Sequence, residues 1–135
     1  DSSIQALLQA ETPAVTIVGK SWDFHVTEAL KISLEANLEV IHDSVTYLKK
    51  HVDEVFFDAE HFFDGYKNNP EYTIQAIKAA QDAGADVIVL CDTNGGTMPW
   101  DIESIVGNVN SQLDNPNLGI HTHNDGELGV ANTLY

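Results

Sequence analysis

The 135 residues include 6 Lys plus Arg against 21 Asp plus Glu, which gives a formal net charge of −15. So acidic a surface repels phosphate backbones and anionic lipids, which argues against nucleic-acid and membrane partners. Hydrophobic residues make up 43% of the chain and charged residues 20%, as in ordinary globular proteins. The single cysteine excludes an intrachain disulfide and suits a reducing compartment, so we expect a cytoplasmic protein.

Four short apolar runs predict buried strands. They are rich in β-branched or aromatic residues and are bounded by loop residues, at 14–18, 55–57, 86–91 and 118–121. Amphipathic stretches between them predict helices, at 4–10, from Thr27 to Leu48, after Pro70, after Pro99 and at 128–132.

The ends of two helices can be predicted as well. Thr27 is the expected N-cap of the long helix, because its hydroxyl can accept from a backbone N–H of the first turn. Gly65 and Pro70 are assigned to a loop before the next helix, and Gly84 is its expected C-terminal stop.

The resulting β-α-β-α-β-α-β-α order predicts a parallel sheet. An open doubly wound sheet normally has a Gly-rich phosphate turn after its first strand, and Gly19-Lys20-Ser21 is neither that turn nor a P-loop. A (β/α)8 barrel instead collects functional side chains at the strands' carboxyl ends and needs about 250 residues. We therefore expect residues 1–135 to be a single fragment of a barrel domain, whose open sheet edges favour homo-oligomers.

Polar residues follow each predicted strand, an arrangement that loop polarity alone would explain less well. They include Lys20-Ser21-Trp22, Asp58, Glu60 and His61, Asp92-Thr93-Asn94, and His121, His123 and Asn124. Because side chains alternate along a strand, His121 and His123 share a face, with Cα atoms about 6.6 Å apart. Two imidazoles so spaced can bind one divalent cation, although such a pair can also be merely hydrogen-bonded.

The same alternation pairs residues on two other strands. Asp58 and Glu60 share one side of the second strand, and Cys91 and Thr93 share one side of the third. If these sides line a barrel, Thr93 faces the metal; its alternative is a turn-forming role. Glu60 is either a substrate-contacting carboxylate or a structural hydrogen-bond acceptor. Cys91 is predicted to be a buried strand residue.

Four segments resemble the family of 2-isopropylmalate and homocitrate synthases, whose more distant relatives are the HMG-CoA lyases. Those segments are Val18–Asp23, Asp58–Tyr66, Leu90–Thr97 and Gly119–Asp125. His-x-His-Asn-Asp and Asp-Thr-x-Gly-Gly mark the wider family, whereas Ala-Glu-His-Phe-Phe-Asp-Gly-Tyr is similar to its citramalate-forming branch. The resemblance extends over essentially all 135 residues.

This resemblance implies strands four to seven of a TIM (β/α)8 barrel. It also implies an acyltransferase of isoleucine biosynthesis that condenses acetyl-CoA with an α-keto acid, pyruvate giving citramalate. The condensation is metal-assisted and Claisen-type, and thioester hydrolysis follows. The alternatives are a 2-isopropylmalate synthase, which takes 2-ketoisovalerate, and a half-barrel that is inactive as isolated.

By the same resemblance, His121 and His123 are metal ligands, for Mg²⁺ or Mn²⁺ with Zn²⁺ as the alternative. Glu60 and Thr93 are the implied catalytic residues, and both are expected to contact substrate together with Asp58. The family also uses an Asp, with a neighbouring Arg, on the first barrel strand. This chain departs from the pattern by lacking that strand, so we expect the 135 residues alone to be inactive.

Overall fold

The computed structural model describes residues 2–135. Its elements are α1 (Ser2–Gln9), β1 (Ala14–Lys20), α2 (Asp23–His25), a π-helical turn (Val26–Leu30), α3 (Leu34–Leu48), β2 (Glu54–Glu60), α4 (Phe62–Asn68), α5 (Pro70–Asp82), β3 (Val87–Asp92), α6 (Pro99–Gln112), β4 (Leu118–Thr122) and α7 (Gly129–Leu134). All four predicted strands are confirmed, and β1 and β2 continue into the polar residues that follow their apolar runs. Among the described residues, no helix is both long and apolar enough to cross a membrane.

The four strands form one parallel sheet in the order β1-β2-β3-β4. A doubly wound sheet reverses its strand order at a switch point, whereas here each strand pairs with the one before it in the chain. The register sets Lys20 opposite Glu60 and Cys91 opposite His121. All four carboxyl ends therefore lie along one rim, as in the wall of a barrel.

One face of the sheet carries the apolar core. Phe57, Ile88 and Leu90 are at most 2% exposed, and they belong to a cluster with buried residues of α3, α5 and α6. Gly19 lies on the same face, where an added Cβ would overlap the ring of Phe57. The helices thus cover one side of the sheet, as the sequence pattern predicts.

The opposite face of the sheet is open. Val18 is 64% exposed, and Thr16 and His121 are exposed as well. Apolar side chains on a strand are normally covered by another layer of the structure. This exposed face is therefore the surface that would point inward in a closed barrel.

The predicted N-cap Thr27 is wrong. Thr27 lies in the π-helical turn, which ends at Lys31 in a left-handed conformation (φ 56°). Helix α3 begins afterwards, and the Ser33 hydroxyl accepts the Ala36 N–H at 3.1 Å. The four-residue apolar spacing continues across this break, so periodicity alone predicts one helix.

Gly65 is also not in a loop, because it lies inside α4. An added Cβ there would approach the Thr73 hydroxyl to 2.7 Å and the Ser21 carbonyl to 3.0 Å. Gly65 therefore permits close packing of α4 against the segment after β1. The predicted end of α5 is confirmed, since Gly84 has φ 96° just past Asp82.

Candidate metal and substrate site at the strand ends

His121 and His123 lie at the carboxyl end of β4, and their rings are on the same side of the chain. The ring centroids are 4.8 Å apart and the rings are tilted by 51°. His123 Nδ1 also lies 3.9 Å from an Asp125 carboxylate oxygen. His121 is exposed and His123 is half-buried, so the pair borders the open face. Two ring nitrogens are thereby available at the rim.

A second group of possible ligands continues down the open face from His121. One ligand atom each from Asp58, Cys91 and His121 lie within 4.8 Å of one another. The strand register explains this, since Cys91 pairs with His121 while Asp58 pairs with Val89, two residues earlier on β3. The strand faces that carry Asp58, Cys91 and His121 thus lie on one side of the sheet.

The protonation of these groups decides which can act as ligands. Burial raises the pKa of the Cys91 thiol to about 12, and the Asp58 and Glu60 carboxylates add to the effect. Burial also raises the pKa of Asp58, and the nearby His121 opposes this rise. Near neutral pH Cys91 is a thiol, which is a weak ligand. Imidazole nitrogens with a nearby carboxylate are a donor set that fits a divalent cation such as Mn²⁺ or Zn²⁺.

Glu60 is the last residue of β2, and its carboxylate forms an ion pair with Lys20 at the end of β1. Both side chains are a little over a quarter exposed. The Ser21 hydroxyl donates to the Glu60 carbonyl at 2.8 Å, which fixes the backbone at this point. The Glu60 carboxylate is therefore held at the rim beside the Lys20 ammonium group.

Thr93 follows β3, and its hydroxyl oxygen accepts the His61 N–H at 2.8 Å. This bond joins the ends of β2 and β3. A threonine hydroxyl can accept and donate at once, so the Thr93 O–H is still able to donate to a ligand.

The sequence analysis missed a polar cluster around His61, which has φ 53° and precedes α4. His61 Nδ1 lies 2.9 Å from an Asp64 carboxylate oxygen, which also accepts from the Asn94 side chain at 2.9 Å. The His61 ring packs edge-on against His25 at 4.6 Å. Burial lowers the pKa of His25, and His61 and Lys20 lower it further. Only the His-x-x-Asp spacing at a helix start could have pointed to this cluster.

Together, the sequential parallel order and the donors at its rim define a section of a (β/α)8-barrel wall with a candidate metal site. The chain belongs to the family described as HMGL-like, which matches residues 1–135. Two curated relatives are (R)-citramalate synthases, from Geobacter sulfurreducens (62% identical over the whole chain) and Aquifex aeolicus (59% over 99% of it). A 2-isopropylmalate synthase from Prochlorococcus marinus is 32% identical over 97% of the chain. In each case the chain spans about a quarter, 25%, of the relative's length.

Solved structures support the same fold. The HMG-CoA lyase of Bacillus subtilis superposes with a TM-score of 0.83 at 14% identity, covering 99% of this chain and 46% of that one. The Pseudomonas aeruginosa enzyme gives 0.79 at 18% identity, covering 98% and 45%. The four βα units are thus part of a TIM barrel.

Proposed function

We propose that this chain supplies the metal-bearing wall, strands four to seven, of an acyltransferase domain that condenses acetyl-CoA with pyruvate to give citramalate. The observation that carries the proposal is the convergence of His121, His123, Thr93 and Glu60 on one rim. The similarity to (R)-citramalate synthases supports the substrate class, because it is much higher than the similarity to a 2-isopropylmalate synthase.

In the proposed site His121 and His123 would hold the cation, and a carboxylate oxygen of Asp58 lies within 4.8 Å of a His121 ring nitrogen. A divalent ion held there would supply Lewis-acid polarisation of the ketone of the α-keto acid. Neutral imidazoles leave such an ion most of its positive charge, and a chelating keto acid supplies hard oxygen ligands. We therefore favour Mg²⁺ or Mn²⁺ over Zn²⁺.

The remaining residues orient the reactants and move a proton. Thr93 donates its O–H to the keto-acid carboxylate while its oxygen stays bound to the His61 N–H. Glu60, which is paired with Lys20, accepts a proton from the acetyl methyl group. The resulting carbon nucleophile attacks the keto carbon, the new alkoxide takes up a proton from water, and Glu60 returns its proton to the solvent. Water then cleaves the thioester, which releases the CoA thiol and a carboxylate.

Histidine substitutions test the metal site, in a protein of the relatives' full length that includes this chain. We expect His121→Ala and His123→Ala each to weaken Mn²⁺ binding in calorimetry and to abolish CoA thiol release with pyruvate. His42→Ala is the matched control, because His42 is exposed on helix α3 rather than at a strand end. Full Mn²⁺ affinity in both rim variants would exclude these residues as ligands.

The substrate is tested separately, by comparing kcat/KM for pyruvate with that for 2-ketoisovalerate. We expect a clear preference for pyruvate. A preference for 2-ketoisovalerate would favour the 2-isopropylmalate synthase alternative. The 135 residues alone are expected to release no thiol from acetyl-CoA, and release by the purified segment would contradict the proposed incompleteness of its site.

A further inference from the structure

The loop after β3 and the loop after β4 touch at Gly95. This residue is buried and has φ 64°, and its carbonyl accepts the Gly126 N–H at 3.0 Å. An added Cβ on Gly95 would lie 2.8 Å from the His123 carbonyl oxygen and 3.0 Å from the Asp125 N. The backbone of His123 therefore rests directly on the Cα of Gly95.

The loop that presents Gly95 is held firmly. The buried Asp92 carboxylate accepts from the Thr97 N–H at 3.1 Å and from the Thr97 hydroxyl at 2.8 Å. The Thr97 carbonyl in turn accepts from the side chain of buried Asn132 in α7, at 2.8 Å. Since buried charge-assisted bonds are costly to break, this loop cannot move away easily when Gly95 is enlarged.

The opposite side of the contact is His123, whose N–H donates to the Asp92 carbonyl at 3.2 Å. Any group inserted at Gly95 would push on the His123 carbonyl while this N–H bond holds the other side of the same residue. This displacement of the His123 backbone would turn its imidazole ring away from the ring of His121. Metal sites tolerate little of this, because ligand orientation sets the affinity.

We propose that Gly95 is a positioning residue for the metal site, because its missing side chain sets the backbone of His123 so that both imidazoles face one cation. This inference rests on the proposed metal-binding function of His121 and His123. Gly126, in the loop after β4, has the same role, because an added Cβ there would lie 2.6 Å from the Gly95 carbonyl oxygen.

Four glycine-to-alanine variants separate this role from loop sensitivity and from backbone strain. Gly95→Ala adds both a collision and a strained φ, whereas Gly126→Ala adds the collision without a positive φ. Gly96→Ala alters the neighbouring position, where nothing lies within 4 Å of an added Cβ. Gly84→Ala has the strained φ of 96° at the end of α5, with only a Lys49 side-chain atom at 3.6 Å.

Mn²⁺ affinity is measured by calorimetry in the full-length protein, together with hydrogen exchange of the His123 amide in EDTA. We expect Gly95→Ala and Gly126→Ala each to weaken Mn²⁺ binding about 10–100-fold, as substitutions behind metal ligands do, and to accelerate that exchange. Gly96→Ala and Gly84→Ala should retain wild-type affinity and wild-type exchange. If Gly95→Ala does not fold, Gly126→Ala decides the question, because it has the collision without the positive φ.

Two results would overturn the inference: wild-type Mn²⁺ affinity in both colliding variants, or an equal loss in Gly84→Ala. If the wild-type protein itself does not bind Mn²⁺, the proposed metal function fails. The exchange measurement then tests the contact between Gly95 and His123 independently of metal binding. An unchanged exchange rate of the His123 amide in the colliding variants would disprove that contact.

Discussion

The thiol of Cys91 gives a prediction whose size follows from its surroundings. Cys91 is 6% exposed, and its pKa rises from an ordinary 9.0 to about 12 through burial and then through Asp58 and Glu60. That rise lowers the thiolate fraction at about pH 8 by about 10³-fold, and only the thiolate reacts with iodoacetamide. The native protein should therefore be alkylated about 10³-fold more slowly than the urea-unfolded chain.

The assay is simple because Cys91 is the only cysteine in the chain. Labelling is followed by mass spectrometry across neutral to alkaline pH, with EDTA present. The native rate should rise about tenfold per pH unit throughout, whereas an ordinary thiol levels off near its own pKa. Asp58→Asn removes one of the causes and should speed labelling. A native rate that levels off near pH 9, about the ordinary value, would refute the reasoning and make Cys91 a candidate metal ligand.

Three further predictions concern the fold. Phe57→Ala should lower the free energy of unfolding by about 3–5 kcal/mol in urea titrations, because Phe57 is 1% exposed in the core. Val18→Ala, on the open face, should change that free energy by less than about 0.5 kcal/mol. Equal losses in the two variants would contradict a core on one side of the sheet. Burial acts to raise the pKa of Asp86, but hydrogen bonds from Lys49 and the Val55 N–H outweigh it and lower the pKa. The ionised Asp86 carboxylate thus stabilises the fold at neutral pH, and this stabilisation is lost as the pH falls through the lowered pKa. Asp86→Asn should therefore destabilise the chain at neutral pH but not at strongly acid pH. A loss of stability that does not depend on pH would exclude the ionised carboxylate as its cause. The isolated chain should associate in gel filtration through its open face and edges, and a monomer at every concentration would argue against that.

The strands could be predicted because each is a short apolar run with a polar residue at its carboxyl end. The strand faces that carry Asp58, Cys91 and His121 also follow from the side-chain period of two, whereas the closeness of the three residues depends on the parallel register that the structure shows. The role of these residues as ligands stays a prediction.

What the sequence did not reveal depends on contacts between distant segments. Ser33 rather than Thr27 begins α3 because a π-helical turn and a left-handed Lys31 interrupt a pattern that remains periodic. Gly65 lies inside α4 at a point where Thr73 and Ser21 leave no room for a side chain, and no local signal encodes that close approach. The cluster around His61 likewise depends on Asn94 from another strand end.

The order of the strands in the sheet also bears on how the chain is made. Each strand pairs with the one synthesised just before it, so a ribosome can release the units in turn and no strand has to wait for a distant partner. β4, which brings His121, is the last of the four to be added. If His121 is a ligand as proposed, a nascent segment that stops before β4 should not bind the cation, and binding should begin only once β4 has been added.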